Sequence, residues 1–359
     1  MKLNRLCKPM FAIAAALGFV FAAPYPAVAQ QPRVKWSLQS AFGTQTPHLG
    51  VSALRFVKTI GRLSAGRFEI KIFEPGAIVP ALECFDAAAK GSVEACWTTS
   101  GFHSGKFPAA AFFGTVPFGP QLGEFLAWKW FGGGNELRAE VYGQQGVIAF
   151  DSICTGPETS GWFRKEINTP DDLKGLKMRF FGLGAKVMQK LGVSTQLLAP
   201  GDIFPALERG VIDATEFSMP TMDIKMGFQQ IAKFDYFPGW HQQISCGELL
   251  MNKAAYDALP DEYKAMLEAA TGQELIYTYA ETEALNPPAL TELTAKYGVN
   301  VRRWSDDFLK LYEEKWREVL QEESAKDPLF KKVADSYLKF REQYRIWGDA
   351  QAIRPTYLK

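Results

Sequence analysis

Arg179 has the setting most suited to chemistry in this chain. It stands at the end of a predicted strand over residues 176–181, directly before the turn Gly182-Leu183-Gly184 that opens a predicted helix. Carboxyl ends of parallel strands face the ligand crevice of open α/β folds. A helix amino terminus adds free N–H groups and partial positive charge. A guanidinium placed there can grip one carboxylate through two parallel hydrogen bonds; the alternative is an ordinary surface position on a strand. Downstream, the matching strand end is Thr215-Glu216-Phe217-Ser218. Its carboxylate is either the ion-pair partner of Arg179 or a ligand for a hard cation. Glu158, in a polar crossover over residues 155–161, could supply a second oxygen, although spacing alone does not bring the three together.

Enzyme signatures are missing. The chain has no G-x-S-x-G, H-E-x-x-H, Walker loop or C-x-x-C. The Gly182-Leu183-Gly184 turn mimics a dinucleotide fingerprint but lacks the third glycine, and Asp202, the acid about 20 residues on, reads as a helix cap. His48, His103 and His241 are far apart in sequence, which argues against a zinc site. The 359 residues carry 40 basic against 39 acidic side chains, and 47% are hydrophobic. That balance excludes a disordered tail and a disulfide-dense mini-protein, and it argues against a nucleic-acid binder. At the amino terminus Lys2, Arg5 and Lys8 precede an apolar run and the cleavage motif Ala27-Val28-Ala29, the pattern of a secretory signal peptide. Export permits disulfides among Cys84, Cys96, Cys154 and Cys246, in any of three complete pairings. Their scattered positions favour buried unpaired thiols instead.

The elements that position these residues follow from periodicity. Val34-Lys35-Trp36-Ser37-Leu38 alternates as a strand, an amphipathic helix covers residues 49–62, and residues 68–73 alternate again. A helix begins at Pro80 and ends before Gly91, and residues 93–98 form a third strand. This β-α-β-α-β order implies a parallel sheet. A second α/β set starts at Trp162-Phe163, with Thr169-Pro170-Asp171-Asp172 as a capped turn, a helix over 185–191, and a strand over 211–217. Pro80-Ala81-Leu82-Glu83 and Pro205-Ala206-Leu207-Glu208 begin a weak internal repeat, each copy running through a glycine into a strand. Helix dominates from residue 260, with breaks expected at Pro287-Pro288 and Pro328 and a short strand over 297–301. Trp316, Tyr337 and Tyr344 are spaced as packing residues.

Several segments resemble the periplasmic solute-binding proteins of TRAP transporters. They are Leu173-Lys174-Gly175-Leu176-Lys177-Met178-Arg179 and Leu207-Glu208-Arg209-Gly210-Val211-Ile212-Asp213-Ala214-Thr215-Glu216. Phe73-Glu74-Pro75-Gly76 and Trp162-Phe163-Arg164-Lys165-Glu166-Ile167 are similar to the subgroup that binds 2-oxo and related monocarboxylic acids. The resemblance implies a two-lobed α/β fold with parallel or mixed sheets and a helical carboxyl-terminal region. Residues 1–29 would be the signal peptide, 30–152 the first part of lobe I and 153–243 lobe II. Residues 244–303 would return to lobe I and 304–359 form the tail.

The resemblance further implies a periplasmic receptor, not an enzyme, that delivers a small organic carboxylate to a TRAP membrane permease. Arg179 would be the anchor, with Phe102, Glu158, Glu216 and Phe217 around the substrate. Glu158, Glu216, Phe217 and Gln242 would hold a cation. Glu158 replaces an expected amide, Phe217 an expected Trp, and Gly101-Phe102-His103 a run usually rich in tyrosine. His103 is either a ligand contact or an exposed loop residue. Two carboxylates 4 Å apart repel by about 4 kcal/mol at an effective dielectric of 20, so Ca²⁺ is expected first, Na⁺ second and no metal third. A sensor subunit and a metal-dependent hydrolase or lyase using Glu158 and Glu216 are the competing readings. Phe308, Leu311, Tyr312, Trp316 and Leu320 suggest a homodimer through the carboxyl-terminal helix, the alternative being a tail folded across its own lobes.

Overall fold

In the computed structural model, residues 32–353 are described; the signal peptide expected over 1–29 lies outside them. The chain opens with β1 (Val34–Ser40), α1 (Leu49–Leu63), β2 (Phe68–Phe73), α2 (Cys84–Ala89) and β3 (Ala95–Thr98). Alternation sets the faces of the strands: Phe68 and Ile70 are buried in β2 while Glu69 and Lys71 face solvent. In α1, Ala53, Phe56 and Ile60 form the buried stripe, and Phe56 packs on Trp97 of β3 at 5.2 Å. Then follow α3 (Leu122–Phe131), α4 (Gly134–Gly143) and β4 (Val147–Thr155). The first sheet has the order β2-β1-β3, a return strand, then β4, and β1 runs parallel to β2 and β3.

The chain crosses at residues 156–160 into β5 (Gly161–Phe163), β6 (Lys177–Arg179), α5 (Gly182–Lys190), β7 (Ser194–Gln196), α6 (Pro200–Glu208), β8 (Ala214–Thr215), α7 (Pro220–Met226) and β9 (Phe234–Phe237). It returns through residues 238–244 to β10 (Ser245–Asn252), which lies antiparallel between β3 and β4. After α8 (Lys253–Asp257) and α9 (Asp261–Ala295), β11 (Asn300–Arg303) completes a second, mixed sheet of order β11-β9-β5-β8-β6-β7. The carboxyl end is α10 (Asp306–Lys326) and α11 (Pro328–Gln351).

Several expectations are corrected. The strand near residue 300 joins the second sheet, not the first, because β9 offers it a parallel edge. No break occurs at Pro287-Pro288: α9 continues through both for 35 residues, held against β4 and α1 at one end and α7 at the other. Tertiary packing here outweighs the two lost backbone donors. Asp202 sits in the first turn of α6, whose cap is Ala199. The four cysteines form two disulfides, Cys84–Cys96 and Cys154–Cys246. The β4–β10 register sets Cys154 directly opposite Cys246, which sequence spacing could not reveal. The apolar residues of α10 that suggested a dimer are used within the chain. Phe308, Tyr312 and Trp316 are buried, α10 packs on α5, and α11 packs on α3, α4 and the turn over residues 108–113. The tail thus lies across both lobes.

Candidate functional site

The site forms where the two crossovers between the sheets run side by side. Glu158 belongs to the outgoing crossover and Gln242 to the returning one, and the Glu158 N–H donates to the Gln242 carbonyl at 3.1 Å. Their closeness needs glycine: a Cβ on Gly239 would lie 2.2 Å from the Glu158 carbonyl oxygen. Across the cleft, a Cβ on Gly101 would lie 2.0 Å from the Phe181 ring. Phe102 meets that ring edge-on at 5.6 Å. These contacts roof a cavity of about 40 Å³ between the lobes, lined among others by Phe102, Glu158, Arg179, Phe217 and Gln242. That is room for roughly three waters, or a small organic molecule.

Arg179 ends β6, beside β8, so the neighbouring strand end brings Glu216 to it. The Arg179 Nη1 donates to Glu216 Oε1 at 2.6 Å and to the Glu216 carbonyl at 2.7 Å. Arg179 is 1% exposed, yet its Nε has no partner. A buried guanidinium with unspent donors against a cavity is prepared for an anion. Its face is also bounded by aromatic rings, Phe181 at 6.0 Å and Phe217 at 5.6 Å.

The second half of the site is acidic. Ligand atoms of Glu158, Glu216 and His241 all lie within 4.8 Å of one another. The His241 Nε2 is 3.5 Å from Glu216 Oε2, and neither ring nitrogen has a hydrogen-bond partner. Glu158 Oε2, Glu216 Oε2 and Gln242 Oε1 are buried and unpartnered as well. Burial pushes Glu158 well above the usual carboxylate range, and the charges of Glu216 and Asp223 push it further. Burial works against Glu216 too, but the Arg179 guanidinium and His241 together hold it below its ordinary value. Unpartnered buried oxygens on two carboxylates and an amide are costly on their own. They fit a hard cation such as Ca²⁺ or Na⁺.

The fold therefore brings together Arg179, Glu158, Glu216, Phe102, Phe217 and Gln242, all singled out from sequence. His103 is different: it is neither exposed nor at the cavity. It is 4% exposed beneath the first sheet and bonded to the Tyr142 hydroxyl at 2.9 Å. Burial pushes its pKa down to about 3, against the charge of Asp86. Sequence reasoning missed His241, Phe181, Thr99 and Ser245. His241 carried one available signal, its position beside Gln242 in the returning crossover.

The chain matches the family described as bacterial extracellular solute-binding protein, family 7 (DctP), over residues 40–327. It is 36% identical over 317 residues, 88% of this chain and 86% of the relative, to a monocarboxylate 2-oxoacid-binding periplasmic protein of Nostoc sp.. A TRAP transporter solute-binding protein of Bordetella bronchiseptica, solved as a mixed-occupancy dimer with calcium and picolinate, superposes with a TM-score of 0.87. It is 34% identical, with 89% of this chain and 95% of that one covered. One from Pseudoalteromonas atlantica with bound sodium and pyruvate gives a TM-score of 0.85 at 34% identity, covering 89% and 97%. With its two-lobed fold, its site at the crossovers and these likenesses, the chain belongs to the DctP family of bacterial extracellular solute-binding proteins.

Proposed function

We propose that this protein is a periplasmic receptor that captures a small 2-oxo or 2-hydroxy monocarboxylate together with a cation and hands it to a TRAP-type permease. The observation that carries this reading is Arg179, a buried guanidinium with unspent donors against a cavity of about 40 Å³. Arg179 holds the carboxylate; Glu216 fixes the guanidinium from behind and leaves its other edge to the ligand. Phe102, Phe181 and Phe217 exclude water, which strengthens the ion pair. Glu158, Glu216, the Phe217 carbonyl and Gln242 hold the cation, with His241 at its side. When bound, that cation supplies the positive charge that two glutamates and a substrate carboxylate require. The small cavity favours acids of three or four carbons. The 36% identical 2-oxoacid-binding relative and the pyruvate complex of a similar protein support this ligand class.

The protein acts by binding rather than turnover, and it is exported by cleavage after Ala29. A thermal-shift screen of 2-oxo, 2-hydroxy and dicarboxylic acids, with calcium or sodium, tests the reading. A true ligand at 100 times its Kd adds about 2.7 kcal/mol of stability. Conversion of the acid, followed by NMR, would favour the hydrolase or lyase reading instead. A homodimer through the carboxyl-terminal helical region would have to use surface other than Phe308, Tyr312 and Trp316, which are buried within the chain; a monomer at micromolar concentration in sedimentation would reject it.

A further inference from the structure

Outside the ligand cavity, one histidine ties the two lobes together in a way that fixes its charge. His48 lies between β1 and α1 in the first lobe and is 3% exposed. Its Nδ1 is 2.8 Å from Glu281 Oε2 on α9, and its Nε2 is 3.0 Å from Thr221 Oγ1 on α7, in the second lobe. The hydrogen-bond roles can be assigned from the outside inward. The Thr221 backbone N–H donates to Asn286 Oδ1 at 3.2 Å, which makes that atom an acceptor. The Thr221 hydroxyl, 2.9 Å from the same oxygen, must therefore donate its single proton there. Thr221 Oγ1 is left as an acceptor towards His48, so Nε2 carries a proton. Glu281 also takes Arg55 Nη1 at 3.3 Å, as an ionised carboxylate does, so Nδ1 donates as well. With both ring nitrogens donating, the imidazole is a cation.

The backbone at His48 is unusual too. Its φ is 61° and ψ is −56°, and Leu49 N–H bonds back to the Pro47 carbonyl at 2.6 Å. This is the rare, strained γ-turn with positive φ, a conformation that persists only where surrounding contacts enforce it. The next residue, Leu49, lines the ligand cavity. Of the other charged groups around the clasp, Arg55 also holds Glu274 at 3.0 Å and Lys296 holds Glu292 at 2.7 Å, while Lys225 stands near Glu292.

We propose that protonated His48 is an inter-lobe clasp, a positioning residue that couples closure over the ligand to proton uptake. This rests on the receptor reading for the ligand but not for the clasp itself. Closure uses both donated hydrogen bonds, so the closed form selects the ring with two N–H groups and affinity should fall as pH rises. The experiment is calorimetric titration of pyruvate with calcium between pH 6 and 9 on wild type, His48→Gln and Thr221→Val. Nitrogen NMR of the His48 ring runs in parallel, as do spin-label distances between the lobes with and without pyruvate. Wild type should lose about tenfold more affinity across that range than His48→Gln, the worth of one charge-assisted hydrogen bond. Thr221→Val should flatten the profile in part, and the ring should show two protonated nitrogens in the closed form. Identical pH profiles in wild type and His48→Gln, or a neutral ring in the closed form, would overturn the clasp. If pyruvate binds none of the proteins, the ligand assignment fails separately. The spin-label distances then decide: a wild type more closed at pH 6 than at pH 9, with no such change in His48→Gln, upholds the clasp, and equal behaviour ends it.

Discussion

Replacing Arg179 with lysine keeps the charge and changes only its geometry. In the structure one nitrogen, Nη1, serves both the Glu216 carboxylate at 2.6 Å and the Glu216 carbonyl at 2.7 Å, while Nε remains unspent. A lysine ammonium is a compact point donor without the planar fork. It can keep its contact with Glu216 or reach the ligand, but it cannot hold both in the same plane. Each hydrogen bond to a charged group is worth about 1.5–3 kcal/mol net. Losing one or two of them should cost about 3 kcal/mol of binding, or roughly a hundredfold in Kd. The assay is calorimetric titration of the acid identified by thermal shift, in saturating calcium. Circular dichroism should first establish that Arg179→Lys is folded. A folded Arg179→Lys protein with wild-type affinity would remove Arg179 from the site and the receptor reading with it.

Exhaustive chelation in sodium-free buffer should weaken ligand binding, with calcium restoring it better than sodium. Full affinity in the chelated protein would end the cation assignment, and restoration by sodium alone would overturn the charge argument. Glu248, wholly buried near Arg138, has its pKa pushed up to about 7 by burial foremost, with Asp151 adding to it. The native state then keeps a proton that the unfolded chain releases near pH 4.5, so this group costs stability as pH rises from there to about 7 and no further above. Glu248→Gln should therefore gain stability relative to wild type across that window, read by urea denaturation at several pH values; a gain independent of pH would show that Glu248 is already ionised at pH 5. Reduction of the two disulfides should lower stability by roughly 2–4 kcal/mol each, and an unchanged melting temperature in reductant would count against both bridges.

Much of the frame was legible because it is written in local periodicity. The alternation of β1 and β2, the apolar stripe of α1 and the capped turn at Thr169 each need only a few neighbouring residues to be read. The capping box, for instance, is made by Thr169 and Asp172 alone. Arg179 and Glu216 were legible for a related reason. Both stand at ends of strands that precede a turn, and that position has the same meaning throughout open α/β folds.

What the tertiary structure decided are the pairings between segments remote in sequence. The partner of Cys154 follows from the register of β10 against β4, and the strength of α9 at its two prolines follows from the surfaces it spans. His103 was set apart from the ligand cavity and His241 brought to it by the way the second crossover folds over the first. His48 gained its two hydrogen-bond partners from segments far along the chain, Thr221, 173 residues away, and Glu281, 233 away. A side chain's own neighbours in sequence set its conformation, whereas its protonation and its partners depend on whatever the fold packs against it.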